Sequence, residues 1–423
     1  MTGQNAVWMA GAARLPFPIA PGTPLAGYAA RTGSATGTRD PLTIGALALA
    51  REGVRLVIVA ADIIAVDAAL VDEIAAAAGL DKSELALCAS HTHSGPAGVV
   101  ARLHPADPDR LDPELRSRFV ATAADAIATA LSRMEAVDLQ AGVADSNGVA
   151  TNRNDVTGPY DPHLSVLATR RRDGSIQAVM AHFACHPTIL GADNRAVSAD
   201  FPGALRCTLA ASLIRSGRTP LVLFVNGAAG DVSTRFTRRG QDGAEVERVG
   251  NALAETARHA LGRARTLAGP IRHRHAMVDL PPRQPPMAVV GAATPASTPL
   301  QKLAIPAAGQ ARIAETRAQG AAMLAALSAL PDGGQPSSPR LDAWTLGGLT
   351  LVTIPGELSA ALGRHVSARN LRRTLILGYA NGYAGYLADR AAYEAETYEA
   401  MASPFGPGAG EGVANAAATL VSH

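Results

Sequence analysis

The sequence predicts a layered α/β fold in which mixed β-sheets are flanked by helices. Short apolar runs of strand length alternate along the chain with longer stretches whose apolar residues recur at helical spacing. Two pairs of the short runs are joined by Asp-Gly or Gly-Gly turns, which are typical of antiparallel hairpins. Alternating strands and helices add parallel pairs, so the sheets should be mixed. A chain of 423 residues can bury the core that such a fold needs.

The first elements are predicted from apolar runs and from helix-capping residues. Residues 56–61 form an apolar, β-branched run that predicts a buried strand, and residues 85–90 predict another. Between them, Asp67 caps an alanine-rich helix that ends at Gly79. After them, Asp112 and Pro113 predict the start of an amphipathic helix that covers a sheet.

Three further strands and one helix are predicted in the middle of the chain. Residues 164–168 and 176–182 should form a hairpin, because Asp173-Gly174 lies in the turn between them. Residues 221–225 predict a third strand. A helix over residues 203–215 should precede that strand.

The last third contains a change in composition and then a return to strands. Residues 281–339 are rich in Pro, Ala, Gly and Ser and contain one alanine-rich helix. This composition predicts a peripheral excursion. The whole chain, residues 1–423, is predicted to form a single domain. Residues 343–346 and 349–354 predict a second hairpin. Glu357 should then lie in the first turn of the following helix, where the helix dipole stabilises a carboxylate.

Composition excludes several classes of protein. Apolar residues make up 48%, charged residues 17%, and the net charge is +2 without a basic run, so no nucleic-acid partner is expected. The three cysteines, Cys88, Cys185 and Cys207, are predicted to be buried free thiols. No signal peptide and no apolar stretch of membrane-spanning length is found, which predicts a cytoplasmic location. There is no repeat or heptad pattern, so no particular oligomeric state is predicted.

Polar residues collect where the predicted strands end. His91 and His93 follow one strand, residues 226–233 follow another, and Glu357 follows a third. Because ligands bind at strand ends in open α/β sheets, this clustering predicts one shared site. Neutral imidazole is a good zinc ligand, and the Gly95-Pro96 turn favours a loop that could direct both histidines into one pocket. A structural role for the pair remains equally compatible with the pattern.

The other candidates are weaker when each is taken alone. His186 ends an apolar run before Pro187, where a hydrogen-bonded core histidine is the simpler interpretation. Four of the seven tyrosines lie within residues 383–398, a density that suggests a role beyond packing. The sequence has no His-Glu-x-x-His, no P-loop, no dinucleotide-binding fingerprint and no Gly-x-Ser-x-Gly, which argues against several common enzyme classes.

Taken in order, these segments resemble the catalytic domain of the neutral/alkaline (non-lysosomal) ceramidase family. The resemblance runs from Gly27-Tyr28 to Phe405-Gly406-Pro407 and so covers nearly the whole chain. Each motif is weak by itself, whereas six motifs in the order of the family are specific. The six motifs are His-Thr-His-Ser-Gly-Pro at 91–96, Asn-Arg at 152–153, Phe-Ala-x-His-Pro-Thr at 183–188, Gly-Asp-x-Ser at 230–233, Pro-Gly-Glu at 355–357 and Asn-x-Tyr-x-x-Tyr at 381–386.

The resemblance implies a zinc-dependent hydrolase that cleaves an amide (N-acyl) bond in a small-molecule substrate through a metal-activated water. One Zn²⁺ per chain is expected, and the family's ligands correspond to His91, His186, Glu357 and Tyr386. Ser233, His93 and Arg153 correspond to residues at the family's reaction centre. Arg153, His93 or the metal would stabilise the oxyanion, and Ser233 would either donate a hydrogen bond or act on the substrate directly.

The chain departs from the family in two ways. Thr234 and Arg235 replace the Pro-Asn that follows the family's Gly-Asp-x-Ser motif, which leaves the shape around Ser233 open. The chain also shows neither the leader nor the C-terminal β-sandwich of long ceramidases, and together with an aromatic content of 4% this predicts a small, soluble N-acyl or cyclic amide as the substrate rather than a long-chain ceramide. The alternatives are a zinc esterase or lactonase, a true ceramidase acting on N-acyl sphingoid lipids, and an inactive binding protein on the same fold.

Overall fold

The computed structural model describes residues 7–283, 307–330, 337–368 and 373–422. In chain order the strands are β1 (Trp8–Pro16), β2 (Gly37–Thr38), β3 (Thr43–Arg51), β4 (Val54–Ala61), β5 (Leu85–Ala89), β6 (Glu135–Asp145), β7 (Thr151–Asn152), β8 (His163–Arg171), β9 (Ile176–Phe183), β10 (Ala196–Val197), β11 (Leu221–Asn226), β12 (Val232–Ser233), β13 (Arg265–Thr266), β14 (Ile271–Met277), β15 (Arg340–Leu346), β16 (Leu349–Thr353), β17 (Glu357–Leu358), β18 (Arg373–Leu377) and β19 (Tyr386–Leu387). The helices are α1 (Ala68–Ala78), α2 (Pro113–Ser132), α3 (Phe201–Ser212), α4 (Gly243–Gly262), α5 (Ala307–Ser328), α6 (Ala360–Ala368), α7 (Arg390–Glu394), α8 (Tyr398–Ala402) and α9 (Ala409–Val421), and a 3₁₀ turn spans Lys82–Glu84.

One large mixed sheet forms the centre of the molecule. Its strand order is β11-β9-β8-β6-β1-β3-β4-β5, with β13 added beside β6. The two ends of the sheet, β11 with β9 and β4 with β5, pair in parallel, whereas the strands between them pair antiparallel. The predicted mixed α/β fold is therefore confirmed.

A second sheet packs against the first through a shared apolar core. Its order is β14-β15-β16-β18, with antiparallel pairs followed by a parallel pair of β16 with β18. One buried cluster contains Trp8, Leu47 and Leu167 from the large sheet together with Trp344 and Leu351 from the second sheet. This continuous core supports the proposal that the chain is a single domain.

Helices cover the outer face of the large sheet, and local capping explains where they begin. The side chain of Asp112 accepts hydrogen bonds from the backbone of the first turn of α2, and Pro113 occupies the first helical position. Asp67 caps α1 in the same way, and Gly79 ends that helix in the left-handed conformation. Helix α3 runs over residues 201–212 rather than the predicted 203–215, because Asp200 caps it two residues earlier.

Three sequence predictions need correction or restriction. Glu357 does not lie in a helix: it is in the short strand β17, because Glu357 and Leu358 pair with β19. Cys207 is exposed, while Cys88 and Cys185 are buried free thiols as predicted. Residues 284–306 and 331–336 of the predicted excursion at 281–339 lie outside the described residues. Its helix α5 packs against α8, where Tyr398 OH contacts Met323 Sδ at 3.5 Å.

Within the part of the chain that the structure describes, no helix combines the length and apolarity needed to cross a lipid bilayer.

Candidate metal centre

Two strands of the large sheet end at one place, and a buried asparagine ties their ends together. His91 follows β5, His186 follows β9, and Asn226 is the last residue of β11. The side-chain amide of Asn226 donates to the carbonyl oxygens of Ser90, at 3.2 Å, and Cys185, at 3.1 Å. Its Oδ1 accepts from the backbone N–H of Cys185 at 3.1 Å. These bonds bring the two histidines to the same edge of the sheet.

Both histidines present a nitrogen lone pair to the centre. Nδ1 of His91 lies 2.7 Å from the carbonyl oxygen of Ile64, and Nδ1 of His186 lies 2.6 Å from that of Ala229. Because a carbonyl oxygen only accepts, Nδ1 carries the proton in both rings and Nε2 is bare. His91 reaches this orientation with a left-handed φ of 66°, and its ring stacks on Tyr379 at 4.0 Å.

Glu357 completes a set of converging electron-pair donors. Its Oε2 lies 3.1 Å from Nε2 of His186 and 3.5 Å from Nε2 of His91. All three residues are buried, and among the described residues neither Oε2 of Glu357 nor Nε2 of His186 has a hydrogen-bond partner. Three acceptor atoms that face one another without a hydrogen-bond donor between them suit a cation, which would satisfy all three.

The donor set suits a divalent metal ion. Nε2 of His93 lies 3.2 Å from Nε2 of His91, and the ligand atoms of His91, His93 and His186 all lie within 4.8 Å of one another. Imidazole nitrogen and carboxylate oxygen are the donors that zinc commonly takes. His93 differs from the other two histidines, because its Nδ1 has no hydrogen-bond partner among the described residues.

Backbone pairing and one tyrosine fix the position of Glu357. The parallel pair of β17 with β19 sets Glu357 directly opposite Tyr386. Gly230 donates its N–H to the carbonyl oxygen of Leu358 at 2.9 Å, and a Cβ at position 230 would lie 2.5 Å from the carbonyl oxygen of Glu357. The hydroxyl of Tyr383 donates to Oε1 of Glu357 at 2.5 Å. The second oxygen, Oε2, is thereby directed at the histidines.

A buried ion pair lies beside this centre. Nε of Arg153 donates to Oε1 of Glu399 at 2.6 Å, and Nη2 of Arg153 donates to the hydroxyl of Tyr386 at 3.1 Å. Asn154 donates to the other oxygen of Glu399 at 2.8 Å. Burial raises the pKa of Tyr386 well above its usual range, Glu357 raises it further, and the charge of Arg153 opposes this shift.

Ser233 follows Asp231 and Val232, whose carbonyl oxygens accept backbone hydrogen bonds from Arg153 and His186. The N–H of His186 donates to the carbonyl oxygen of Val232 at 2.9 Å, and the N–H of Arg153 donates to that of Asp231 at 2.7 Å. Oγ of Ser233 is buried and accepts from the N–H of Arg235 at 3.2 Å. Among the described residues, no imidazole or carboxylate forms a hydrogen bond with this Oγ.

Burial keeps the three imidazoles neutral. It lowers the pKa of His91 to about 4, an effect that the carboxylate of Glu357 partly opposes. It also lowers the pKa of His93 and His186 well below the usual range. The neighbouring imidazole of His91 lowers the pKa of His93 further, and the charge of Arg153 does the same for His186. A neutral imidazole is the form that binds a metal.

The structure brings the sequence-predicted residues together. His91, His93, His186 and Glu357 form the centre itself, while Tyr386 and Arg153 contact each other beside it, and Ser233 follows on the adjoining loop. The roles assigned to these residues remain predictions.

Sequence analysis missed three contributors, which are Tyr383, Tyr379 and Glu399. The density of tyrosines between residues 383 and 398 was a signal for the first of them. Neither the stacking of Tyr379 on His91 nor the pairing of Glu399 with Arg153 leaves a local pattern in the sequence.

Comparisons with known proteins agree with the observed fold. The fold matches a neutral ceramidase from Pseudomonas aeruginosa with a TM-score of 0.77 and 20% identity, over 99% of this chain and 74% of that chain. It also matches a ceramidase complexed with C2, with a TM-score of 0.78 and 19% identity, over 99% of this chain and 75% of that one. No curated protein matches the sequence.

A family profile provides the stronger evidence of kinship. The profile described as neutral/alkaline non-lysosomal ceramidase, N-terminal, matches residues 19–247, which make up more than half of the chain. The matched segment includes His91, His93, His186 and Ser233. This chain belongs to the neutral/alkaline non-lysosomal ceramidase family.

Proposed function

We propose that this protein is a zinc-dependent hydrolase that cleaves the amide bond of an N-acyl compound. The observation that carries the proposal is the convergence of three buried acceptor atoms, Nε2 of His91, Nε2 of His186 and Oε2 of Glu357, without a proton between them. Family membership supports amide hydrolysis, because ceramidases cleave an N-acyl bond. Both lines of support are independent of each other.

His91, His186 and Glu357 would hold the metal, with Tyr386 as the predicted fourth ligand. Tyr386 faces the same side as Glu357, because the two residues are directly paired on β17 and β19. His93 is the alternative fourth ligand, since its Nε2 lies 3.2 Å from that of His91. Zinc bound by such a set polarises a carbonyl and lowers the pKa of water to about 7.

The chain supplies the remaining chemistry through fixed polar groups. Arg153 is held by Glu399 and faces Tyr386, so its guanidinium would stabilise negative charge on the carbonyl oxygen of the substrate. His93 has a neutral ring beside the ligands and would accept the proton that the attacking water loses and pass it to the departing amine. Ser233 is proposed as a hydrogen-bond donor to the substrate, because its Oγ has no base beside it among the described residues.

The proposal is tested by metal analysis together with a substrate panel. The purified protein should contain zinc, and its hydrolysis of N-acyl amines should stop with a chelator and return with added zinc. Matched esters and lactones, assayed in parallel, distinguish an amidase from the esterase alternative. A protein that binds zinc and hydrolyses none of these substrates would instead be the inactive binding protein. The cytoplasmic location of the protein stays a prediction.

A further inference from the structure

Three arginines beside the centre share an unusual environment. Nη1 of each donates to a backbone carbonyl oxygen: Arg31 to Ala26 at 2.7 Å, Arg235 to Arg153 at 2.8 Å and Arg238 to Thr188 at 2.8 Å. Each side chain is partly buried. Nη2 of Arg31 also donates to the carbonyl oxygen of Gly191 at 3.4 Å. These few bonds to carbonyl oxygens leave other N–H groups of each guanidinium for a ligand. These residues are called the arginine rim below.

The arginine rim has no carboxylate partner among the described residues. No acidic oxygen lies within 4.0 Å of its nitrogens. Glu399 is bound by Arg153 and Asn154, and Asp200 accepts two backbone N–H groups. Burial lowers the pKa of Arg31, and Tyr28 and the exposed Asp193 oppose that shift, although Asp193 forms no ion pair with Arg31. Outside the described ranges the sequence contains only one acidic side chain, Asp332.

The arginine rim surrounds the side of the site that faces His93. Arg31 lies over the ring of Tyr28 at 5.0 Å, and that ring packs against His93 at 4.8 Å. The backbone N–H of Arg235 donates to Oγ of Ser233 at 3.2 Å. The charges of Arg238 and Arg31 both act on the Tyr28 hydroxyl, where they oppose the rise in pKa caused by burial.

The positive charges also act on one another. The pKa of Arg235 is lowered to about 9, first by burial and then by the charge of Arg153, with smaller effects of Arg312 and Arg238 and an opposing effect of Glu399. Partly buried like charges without counter-ions destabilise a protein unless a ligand neutralises them. A neutral N-acyl lipid would leave these charges uncompensated.

We propose that the arginine rim binds an anionic group of the substrate, so that the hydrolysed compound is an N-acyl amide that carries a carboxylate. This inference rests on the proposed amidase function and specifies its substrate class. Guanidinium groups match carboxylates because their planar N–H donors pair with both oxygens. Arg235 also stands at one of the two positions where the loop after Ser233 departs from the family pattern.

The experiment compares kcat/KM for substrates that differ only in the charged group. N-hexanoylglycine is paired with N-hexanoylethanolamine, which places the carboxylate on the amine side. N-butylsuccinamate is paired with N-butylpentanamide, which places it on the acyl side. The wild-type zinc enzyme should prefer the acid in one of the pairs by about 10- to 100-fold, the effect of one charge-assisted hydrogen bond. High salt should weaken that preference.

Variants connect the preference to the arginine rim. Arg235→Gln and Arg238→Gln should each lower the acid-to-neutral ratio of kcat/KM about tenfold. Arg235→Lys should retain part of the ratio, because it keeps the charge and loses the fork of donors. Arg172→Gln is the matched control, since Arg172 is exposed in the turn between β8 and β9, at the end of β9 opposite to His186. Because a ratio is measured, a general loss of active protein does not mimic the effect.

Three outcomes would overturn the inference, and they are distinguishable. If the enzyme hydrolyses the neutral amides in a zinc-dependent manner and shows no preference for either acid, the arginine rim does not select an anion and the proposed function stands. If none of the four amides is hydrolysed by the zinc-loaded protein, the amidase function fails and the inference fails with it. A preference that survives each of Arg31→Gln, Arg235→Gln and Arg238→Gln would assign anion binding to residues outside the arginine rim.

Discussion

The hydroxyl of Tyr383 donates a hydrogen bond to Oε1 of Glu357, while the other oxygen of that carboxylate faces His91 and His186. One tyrosine thereby selects which carboxylate oxygen is presented to the two histidines of the proposed metal site. Groups that orient metal ligands in this way tune affinity without contacting the metal themselves. Tyr383 is therefore a positioning residue of the centre.

Tyr383→Phe should weaken zinc binding while it leaves the ligands in place. Loss of an orienting hydrogen bond typically lowers metal affinity about 10- to 100-fold. Competition with a chromogenic chelator measures the zinc Kd of each variant. Tyr393→Phe is the control, because its hydroxyl donates to the carbonyl oxygen of Phe405 outside the site. A Tyr383→Phe protein with the zinc Kd of the wild type would show that Glu357 is held by its backbone alone.

The predicted ligands should be separable from their neighbours by metal content. Glu357→Gln and His186→Ala should lose both zinc and activity, because each variant removes one of the predicted ligand atoms. These two atoms, Oε2 of Glu357 and Nε2 of His186, lie 3.1 Å apart. Tyr386→Phe and His93→Ala distinguish the two candidates for the fourth ligand, because only the variant that removes the true ligand should lose zinc affinity. In the wild type, each ligand atom should lie about 2.0–2.2 Å from the zinc. His275→Ala, an exposed histidine on β14, should retain one zinc per chain. Full zinc occupancy in both Glu357→Gln and His186→Ala would refute the site.

Local signals predicted much of the fold, and long-range packing accounts for what they missed. The boundaries of α1 follow from the cap at Asp67 and the left-handed Gly79, both of which act within one turn. By contrast, β1 was not predicted, because its run of alanine and glycine lacks β-branched residues. Its conformation depends on pairing with β3 and on close packing of α2, where a Cβ at Gly11 would lie 2.0 Å from the carbonyl oxygen of Ala130.

The residues of the candidate site divide in the same way, into those indicated by local signals and those that depend on long-range contacts. The strand-end positions of His91 and His186 are visible in the sequence, and family resemblance added Glu357. Glu399 could not be found in this way, because it pairs with Arg153 across 246 residues. The strand conformation of Glu357 was also missed, since it depends on β19 rather than on its own neighbours.

Ser233→Ala should preserve zinc and the fold while it lowers turnover. If Ser233 donates a hydrogen bond to the developing oxyanion, kcat should fall about 10²- to 10³-fold. If it were the nucleophile, the loss should approach the roughly 10⁶-fold seen when a nucleophilic serine is removed. Single-turnover kinetics of the zinc-loaded variant measure this difference. Turnover at the wild-type rate would remove Ser233 from the reaction centre.

The metal-free protein should lose stability as the pH falls from about 6.5 toward 4. The pKa of His91 is lowered by burial to about 4, so in this range the unfolded chain binds a proton that the folded protein does not. The free energy of unfolding therefore rises with pH, and the contribution of His91 levels off above about 6.5. The slope is at most about 1.4 kcal/mol per pH unit for each such histidine. Burial raises the pKa of Asp231 to about 7, so this carboxyl makes the stability fall as the pH rises. Its opposite contribution makes a comparison of variants necessary.

Urea unfolding at several pH values in the presence of a chelator measures this slope. His91→Asn should make it shallower than in the wild type, whereas His259→Asn should not, because His259 is exposed on α4. Equal slopes in the wild type and His91→Asn would show that His91 does not resist protonation in the folded protein.

Acyl-chain length provides the sharpest test of the substrate prediction. The apolar cluster that contacts Tyr383 is small, with Ala26, Ile64, Ala65 and Val100 as its buried members. Each methylene that becomes buried contributes about 0.8 kcal/mol, which is roughly a fourfold gain in kcat/KM. A cluster of this size can bury only the first few methylenes of an acyl chain. We therefore expect a preference for short N-acyl compounds over long-chain ceramides.

A homologous series of N-acyl substrates from acetyl to hexadecanoyl, with a constant amine, should show kcat/KM rising at first and then levelling off. Val100→Phe should move the plateau to shorter chains, because it reduces the space in the cluster that contacts Tyr383. Val54→Phe is the matched control at an exposed position of β4. If kcat/KM instead rises at every step to hexadecanoyl, an extended apolar groove must exist, and a long-chain ceramide becomes the better substrate.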